Sequence, residues 1–333
     1  MKLDKIEAKI PLAAAVATAQ SVEADGYHGL WLGEIDRDPF LPLALAAEHT
    51  ERIELGTSIA VAFARSPMTL ANVGWDLQGY SAGRFRLGLG SQVQAHIEKR
   101  FSMPWSHPAA RMREFVAALH AIWDCWQNGT KLDFRGDFYQ HTLMTPFFNP
   151  GPSEFGPPPV FLAAVGELMT EVAGEMADGL FVHGFCTERY LREQVLPTVQ
   201  RGRAKRTAQS RFEIAYPEFV VMGTTEAELA TAAVAVRKQI AFYASTPAYR
   251  KVLELHGWGE LQTELNRLSK QGEWDAMGEL IDDKVLHAFA TVGSPAAVAH
   301  GLRERYGDVV DRISLYMPYD VDPAQLSELT RAV

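Results

Sequence analysis

The chain has 333 residues, of which 47% are hydrophobic and 22% charged, and its formal net charge is −9. This length accommodates one α/β barrel of about 250 residues together with an insertion. The negative charge argues against nucleic acid as a partner, and no apolar stretch reaches the ~20 residues of a membrane span. Its two cysteines, Cys125 and Cys186, make no disulfide framework and have no metal-ligand spacing.

The N-terminal segment is predicted to contain a first strand within Lys2–Ile10, followed by an alanine-rich run. Lysines before this run superficially suggest a signal peptide, but Asp4 and Glu7 stand among them. Because the run continues to Gly26, we interpret it as the first helix, which ends at that glycine. We accordingly predict a cytoplasmic protein.

Further along the chain, apolar runs alternate with helical patterns, which is typical of a parallel sheet. The strands predicted after the first are Gly29–Gly33, Ile53–Val61, Phe85–Gly90, Val160–Val165, Gly179–His183, Phe212–Met222 and Arg312–Met317. An amphipathic helix is predicted over Ala109–Gln127. With strands and helices in this alternation, the sequence predicts an α/β fold, a (β/α)8 TIM barrel.

Two segments depart from the alternation. Thr145–Pro159 contains six prolines, so we predict a long ordered loop that crosses the barrel and neither a helix nor a central strand. Residues 226–288 have a helical pattern far longer than one barrel helix, which indicates an insertion that could cover the open end of a barrel. We predict a single domain over residues 1–333 with this insertion.

The turn after the fifth predicted strand is a candidate anion site. Parallel α/β enzymes keep their chemistry at the carboxyl ends of the strands. Gly166 lies there, and Glu167, Leu168 and Met169 open a helix whose free N–H groups and dipole would bind a cofactor phosphate. An ordinary turn is the alternative. Glu167 brings a negative charge, so its side chain would have to point away.

Three side chains are candidates for handling a proton. Glu34 ends the second strand, and its alternative role is to cap the helix near Pro39–Glu48. His183 ends the sixth strand and should face the mouth of the barrel, in reach of cofactor or substrate. His96 belongs to a group of cations after the fourth strand, which could receive an anionic tail or could simply be a solvated loop. The other members of this group are Lys99, Arg100 and His107.

The segment Ile53–Gly90 is the most distinctive of the chain and reads IELGTSIAVAFARSPMTLANVGWDLQGYSAGRFRLGLG. In order and spacing it resembles the bacterial luciferase-like family of flavin and deazaflavin oxidoreductases. The resemblance extends from about Gly26 to Met317 and is closest to a branch that uses coenzyme F420, an 8-hydroxy-5-deazaflavin. One departure is that Ile35 follows Glu34, where many relatives carry a histidine after the acid.

The resemblance implies a cofactor site. The third strand would underlie the cofactor ring, in a bulge with a non-proline cis peptide that we place within Ser58–Phe63. The loop after the fifth strand holds the cofactor phosphate in luciferase-like proteins. The implied cofactor-binding residues are Ser58, Ile59, Ala60, Gly90, Ser91, Gln92, Ala164, Gly166, Glu167, Leu168, Met169 and Gly184.

The resemblance also implies hydride transfer between C5 of the deazaflavin and a small organic substrate, with Glu34, His96 or His183 as the proton-handling group. One alternative is an FMN monooxygenase that uses oxygen and reduced flavin from a partner reductase. The other alternative is a non-catalytic flavin-binding barrel. Because relatives are commonly dimers or tetramers, we expect a homodimer or homotetramer.

Overall fold

Strands and helices alternate along most of the chain in the computed structural model, which describes residues 1–207 and 210–333. The strands are β1 (Lys2–Glu7), β2 (Gly29–Leu32), β3 (Glu54–Thr57), β4 (Ala60–Val61), β5 (Phe85–Gly90), β6 (Phe134–Arg135), β7 (Gln140–His141), β8 (Val160–Ala164), β9 (Gly179–Val182), β10 (Glu213–Met222), β11 (Ala290–Gly293) and β12 (Arg312–Tyr316).

The helices follow the same alternation, with a longer helical run after β10. They are α1 (Ala15–Ala24), α2 (Phe40–His49), α3 (Pro67–Tyr80), α4 (Gln94–Lys99), α5 (Pro108–Asn128), α6 (Glu167–Met176), α7 (Glu188–Tyr190), α8 (Leu196–Arg203), α9 (Glu226–Ala244), α10 (Arg250–Leu255), α11 (Gly259–Gln271), α12 (Trp274–Glu279), α13 (Asp283–Phe289), α14 (Pro295–Tyr306) and α15 (Pro323–Ala332).

The described chain divides into two structural units. The N-terminal unit comprises Lys5–Phe181 and Thr198–Glu213. The C-terminal unit comprises Met1–Asp4, Val182–Pro197 and Ile214–Val333. Each unit contains parallel strands with helices packed against them.

The sheet of the N-terminal unit has the parallel strand order β2–β3–β5–β8, and β4 pairs with β5. Leu30 lies opposite Leu55, and Leu87 lies opposite Val160. All four side chains are buried. Parallel strands that are covered on both faces consist of continuous apolar runs, which is why β2, β5 and β8 were predictable from the sequence.

Helix α5 anchors the helices of this unit. It packs against α3 and α6, with Phe115 and Leu119 among its buried side chains. The indole N–H of Trp123 donates a hydrogen bond to the carbonyl oxygen of Ala71 in α3 (3.2 Å). The helix ends where Gly129 takes a left-handed conformation with φ of 70°, which glycine adopts at no steric cost. The amphipathic helix predicted over Ala109–Gln127 is therefore confirmed.

In the C-terminal unit, β12 lies between β10 and β1 in parallel pairing. The buried guanidinium of Arg312 on β12 forms an ion pair with Asp4 on β1, with Nε 2.7 Å from Oδ2. Helices α9 to α13 pack around an apolar core that includes Phe219, Ile240 and Leu265. The helical character predicted for residues 226–288 is confirmed. That these residues cover a barrel end stays a prediction.

Strand three differs from its prediction, and two short elements were missed. The run predicted as one strand, Ile53–Val61, is divided into β3 and β4 at Ser58–Ile59. The β6–β7 hairpin depends on Glu114, whose carboxylate accepts hydrogen bonds from the backbone N–H groups of Asp137 (2.9 Å) and Phe138 (2.7 Å). Strand β11 forms through its pairing with β10. Contacts that are distant in sequence create both elements, so local patterns do not indicate them.

The proline-rich segment Thr145–Pro159 contains one short 3-10 turn, Pro146–Phe148, and otherwise has no regular structure. This confirms that it is neither a helix nor a central strand. Its path across a barrel and the organisation of residues 1–333 as a single domain stay predictions.

Candidate active site

The break between β3 and β4 is the central feature of the candidate site. The peptide bond Ser58–Ile59 is cis, which confirms the predicted placement within Ser58–Phe63. On both sides of this bond the backbone is tied to the end of β2. The N–H of Ser58 donates to the carbonyl oxygen of Leu32 (2.8 Å), and the N–H of Glu34 donates to that of Ile59 (3.0 Å). Ser58–Ala60 therefore lie beside Glu34.

Two buried glycines of β5 pack directly against this break. A Cβ atom on Gly88 would lie 1.8 Å from the carbonyl oxygen of Thr57, and one on Gly90 would lie 2.9 Å from the side chain of Ile59. Thr57 and Gly88 are further joined, because the Thr57 hydroxyl donates to the carbonyl oxygen of Gly88 (2.6 Å) and accepts from its N–H (3.0 Å). Glycine at both positions therefore lets β5 pack closely against the β3–β4 break.

The carboxylate of Glu34 is committed to protein partners. Its Oε2 atom accepts hydrogen bonds from the backbone N–H of Val61 (2.7 Å) and from Nη1 of Arg65 (2.6 Å). Arg65 also contacts Asp38, with Nη2 3.1 Å from Oδ2. The Glu34 side chain is only 7% exposed, so it is a buried, charge-assisted anchor for β4.

The alternative role of Glu34 as a helix cap is wrong. Asp38 performs this role for α2, since its Oδ1 accepts from the backbone N–H groups of Phe40 (2.8 Å) and Leu41 (3.2 Å). The pairing of Glu34 with Arg65 was not predicted. The two residues are separated by 31 positions, and no local pattern relates them.

The loop after β5 uses its polar groups locally. The Ser91 hydroxyl donates to the carbonyl oxygen of Gln92 (3.1 Å), and the Gln92 amide oxygen accepts from the N–H of Val93 (3.0 Å). His96 on α4 is exposed, and its ring forms no hydrogen bond with the described residues. Arg100 donates from Nη2 to the carbonyl oxygen of Ile35, which joins this loop to the one after β2.

The N-terminus of α6 has the geometry of an anion site. Gly166 is its N-cap, no side chain caps the helix, and a Cβ atom at Gly166 would meet nothing within 4 Å. Glu167, Leu168 and Met169, whose backbone N–H groups were predicted to bind a phosphate, form the first turn of α6. As expected, the Glu167 side chain is directed away from these N–H groups, because its Oε1 lies 2.5 Å from Nη2 of Arg201 on α8. Ala164, at the end of β8, is buried.

His183 and Gly184 belong to the C-terminal unit. The N–H of Phe185 donates to Nδ1 of His183 (3.0 Å), and the Nε2 atom of His183 lies 3.0 Å from the Tyr249 hydroxyl. Burial lowers the pKa of His183 to about 4. A Cβ atom at Gly184 would lie 3.5 Å from the Tyr316 ring, an ordinary contact, so no steric need requires glycine there.

Aromatic side chains that sequence reasoning missed surround His183. The ring of Tyr249 stacks on His183 with centroids 4.6 Å apart, and Tyr243 meets it edge-on at 5.1 Å. The hydroxyl oxygens of Tyr243 and Tyr316 lie 3.1 Å apart. Tyr243 and Tyr249 come from the long helical segment, whose apolar pattern does not distinguish site residues from core residues.

A separate feature of the C-terminal unit is a cavity of about 450 Å³. Its lining includes Thr187, Arg189, His256, His287, Thr291 and Arg305, and none of the predicted site residues. Beside it, the buried carboxylate of Glu218 accepts hydrogen bonds from Thr291 (2.8 Å), Arg305 (2.9 Å) and Tyr306 (2.8 Å). Burial raises the pKa of Glu218 to about 7, although Arg305 opposes the shift.

Two kinds of feature are absent from the described residues. None of the helices there is long and apolar enough to cross a membrane. In the same part of the chain, no group of three or more His, Cys, Asp or Glu side chains is arranged to hold a metal ion.

The chain is similar to several known proteins. A sequence model described as luciferase-like monooxygenase matches residues 3–312. An uncharacterized protein of Mycobacterium tuberculosis is 59% identical over 312 residues, which cover 93% of this chain and 92% of that protein. The 5,10-methylenetetrahydromethanopterin reductase of Methanolobus tindarius is 26% identical over 282 residues, which cover 83% and 82%.

Among solved structures, the coenzyme F420 dependent tetrahydromethanopterin reductase from Methanopyrus kandleri has a TM-score of 0.78 at 18% sequence identity. The match covers 99% of this chain and 97% of that chain. This likeness confirms the predicted fold class, an α/β fold of the (β/α)8 TIM-barrel type. With the family match over nearly its whole length, the chain belongs to the luciferase-like monooxygenase family.

Proposed function

We propose that this protein is a coenzyme F420-dependent oxidoreductase, which transfers a hydride between C5 of the deazaflavin and a small organic substrate. The observation that carries the proposal is the β3–β4 break, where the third strand is interrupted and Gly90 of β5 packs closely against the side chain of Ile59. The likeness to an enzyme named as coenzyme F420 dependent supports it at the level of the cofactor.

The chain's own residues fit such a cofactor. Ser58, Ile59, Ala60 and Gly90 would underlie the ring, next to Ser91 and Gln92. The open N-terminus of α6, from Gly166 to Met169 after Ala164, would bind the phosphate through backbone N–H groups, because no side chain occupies that position. Gly184 is a further residue that we propose to bind the cofactor. When bound, the cofactor supplies the hydride chemistry, and the protein supplies orientation and proton transfer.

The three proton-handling candidates fit the role unequally. Glu34 is held by Val61 and Arg65, so we propose that it positions β4. His96 is exposed on α4 and would act only at the rim of the site. His183 is neutral at physiological pH, since burial lowers its pKa to about 4. It could therefore donate a hydrogen bond but would not act as an imidazolium acid.

A second candidate function is an FMN-dependent monooxygenase, which would need oxygen and a partner flavin reductase. The description of the matching family, luciferase-like monooxygenase, favours it. A non-catalytic flavin-binding barrel is the third candidate. For all three we propose a cytoplasmic protein that forms a homodimer or homotetramer.

The test is equilibrium binding of oxidised coenzyme F420 and of FMN to the purified protein, followed by fluorescence titration. Micromolar binding of the deazaflavin with much weaker binding of FMN is the expected result. The opposite preference would support the monooxygenase and prompt a search for its reductase. Binding of neither would leave the non-catalytic barrel as the better hypothesis.

A further inference from the structure

The cavity of about 450 Å³ belongs to the C-terminal unit, because all the residues that line it lie in that unit. Its volume is within the range of about 300–1,000 Å³ in which proteins bind small molecules. Ala288, Ala290 and Val292 give the lining an apolar portion, and charged and polar side chains make up the rest. This mixture suits a small organic molecule that carries a polar or charged group.

Two charged residues of the lining, Glu188 and Arg305, are compensated within the protein. The Oε1 atom of Glu188 lies 2.9 Å from Nε of Arg192, and its Oε2 lies 3.5 Å from Nε of Arg305. The other nitrogens of Arg305 donate to Glu218 (2.9 Å) and to the carbonyl oxygen of Ala288 (3.2 Å). With their charges balanced and their donors used, these residues would not select the charge of a ligand.

Arg189 is a cation of the lining that retains a hydrogen-bond donor. Its Nε donates to Glu193 (2.9 Å) and its Nη1 to the carbonyl oxygen of Leu255 (2.9 Å). Its Nη2 forms no hydrogen bond with the described residues. The side chains of Arg189 and Glu193 are 51% and 47% exposed, so water weakens their ion pair. A carboxylate in the cavity can therefore accept a charge-assisted hydrogen bond from Nη2.

His256 and His287 add donors to the lining. Burial lowers the pKa of His256, and the charge of Arg189 lowers it further, so the ring is neutral near pH 7. The buried Thr187 hydroxyl accepts from the N–H of Tyr190 (3.1 Å) and lies 2.9 Å from Nε2 of His256. Because a buried hydroxyl donates where it has an acceptor, Nε2 accepts and the imidazole carries its hydrogen on Nδ1. Neither this Nδ1 nor the His287 ring is hydrogen-bonded to the described residues.

We propose that this cavity binds a small organic carboxylate, which accepts hydrogen bonds from Arg189 and the two histidines and lays its apolar part against Ala288, Ala290 and Val292. A phosphomonoester, with a charge of about −1.5 to −2 at pH 7, would need a second uncompensated cation. The inference goes beyond the proposed function and does not depend on it, because none of the residues predicted to bind the cofactor lines the cavity.

The test uses benzoate, a carboxylate with an apolar ring, in calorimetric titration of the full chain without any cofactor. We expect a dissociation constant of about 1 mM or lower. Neutral benzamide, which has nearly the same shape, and phenyl phosphate should each bind at least about tenfold more weakly. No binding of benzoate, equal binding of benzamide, or tighter binding of phenyl phosphate would overturn the assignment to a carboxylate.

Arg189→Gln places the binding in the cavity. It should weaken benzoate binding by about tenfold and leave benzamide binding unchanged. The matched control is Arg267→Gln, because the Arg267 side chain is 52% exposed and pairs with Glu264 in the same unit but does not line the cavity. Arg267→Gln should bind benzoate as the unaltered protein does. Equal losses in the two variants would overturn the site.

A measurement on the unaltered protein covers the case in which Arg189→Gln does not fold. In ¹⁵N NMR of histidine-labelled protein, benzoate should move the ring signals of His256 and His287. The signals of His300, which is on α14 and outside the lining, should stay in place. Unmoved signals of His256 and His287, or equal movement at His300, would refute the site. An Nε2–H tautomer of His256 before benzoate is added would refute the hydrogen-bond argument.

Discussion

Glu34 was predicted as a proton-handling residue, yet its contacts favour a structural role. Its carboxylate holds Val61 and Arg65 next to the backbone that we propose to carry the cofactor ring. These two hydrogen bonds fix the position of β4. Because Ile59 directly precedes β4, a shift of β4 would also move the backbone proposed to contact the cofactor.

Replacing Glu34 should therefore lower the affinity for the cofactor more than replacing the glutamate of a comparable ion pair does. Glu34→Ala removes hydrogen bonds worth roughly 1.5–3 kcal/mol, and we expect the dissociation constant for F420 to rise at least about tenfold. The control is Glu54→Gln, which breaks the pair with Arg86 (3.2 Å) at the other end of β3 and should leave the affinity unchanged. Fluorescence titration measures the F420 affinity of both variants, and thermal melting measures their stability. Equal effects on affinity would contradict the positioning role.

Glu218 predicts a pH dependence of stability. Burial raises its pKa to about 7 from the usual 4.5, so the folded state holds this proton more tightly than the unfolded state does. The resulting stabilisation is complete below the unfolded-state pKa and is lost as the pH rises to about 7, by roughly 3 kcal/mol. Between about pH 5 and pH 8, the urea midpoint of the unaltered protein should thus fall relative to that of Glu218→Gln. Parallel midpoints for the two proteins would refute the shifted pKa.

At the scale of elements, the start of α6 could be predicted from the local sequence, whereas the β3–β4 break could not. The glycine before α6 and the apolar strand before it indicated a helix start at Gly166, and the structure has it there. The division of the third strand was anticipated only through the family resemblance. Its β-branched residues by themselves favour one uninterrupted strand. The hydrogen bonds that tie Ser58 and Ile59 to the end of β2 cannot be read from local propensity.

Helix α6 offers a substitution that separates folding from binding. In Gly166→Asp, the new carboxylate can cap the helix, which should leave stability unchanged or higher by a few tenths of a kcal/mol. The same carboxylate would occupy the proposed phosphate position, so F420 affinity should fall by about tenfold or more. Gly166→Ala is the control, since a Cβ atom there meets nothing within 4 Å. Undiminished binding by the Asp variant would exclude this helix end as the phosphate site.

At the scale of the whole molecule, strand positions and helix order could be predicted because buried parallel strands are apolar and helices are amphipathic. The partners of Glu34 and the aromatic group around His183 could not. Both depend on side chains brought together from distant positions in the sequence. The fold class thus follows from periodicity, whereas site chemistry depends on tertiary contacts.

The oligomeric state is the prediction that belongs to this scale. The resemblance implies a homodimer or homotetramer, so light scattering after size exclusion should give two or four times the chain mass of 36.9 kDa. The measured mass should not depend on moderate salt, since the contact between copies is expected to be largely apolar. A mass of one chain at micromolar concentration would contradict the prediction.

The ion pair between Asp4 and Arg312 has a consequence for biosynthesis. The two residues are 308 positions apart, yet β1 and β12 pair side by side in one unit. At about 5–20 residues per second, a ribosome needs roughly 15–60 seconds to make the chain between them. During that interval residues 1–4 lack the strand that later pairs with them. The C-terminal unit can therefore complete its sheet only after β12 has been made, and a chaperone that shields residues 1–4 until then should assist this step.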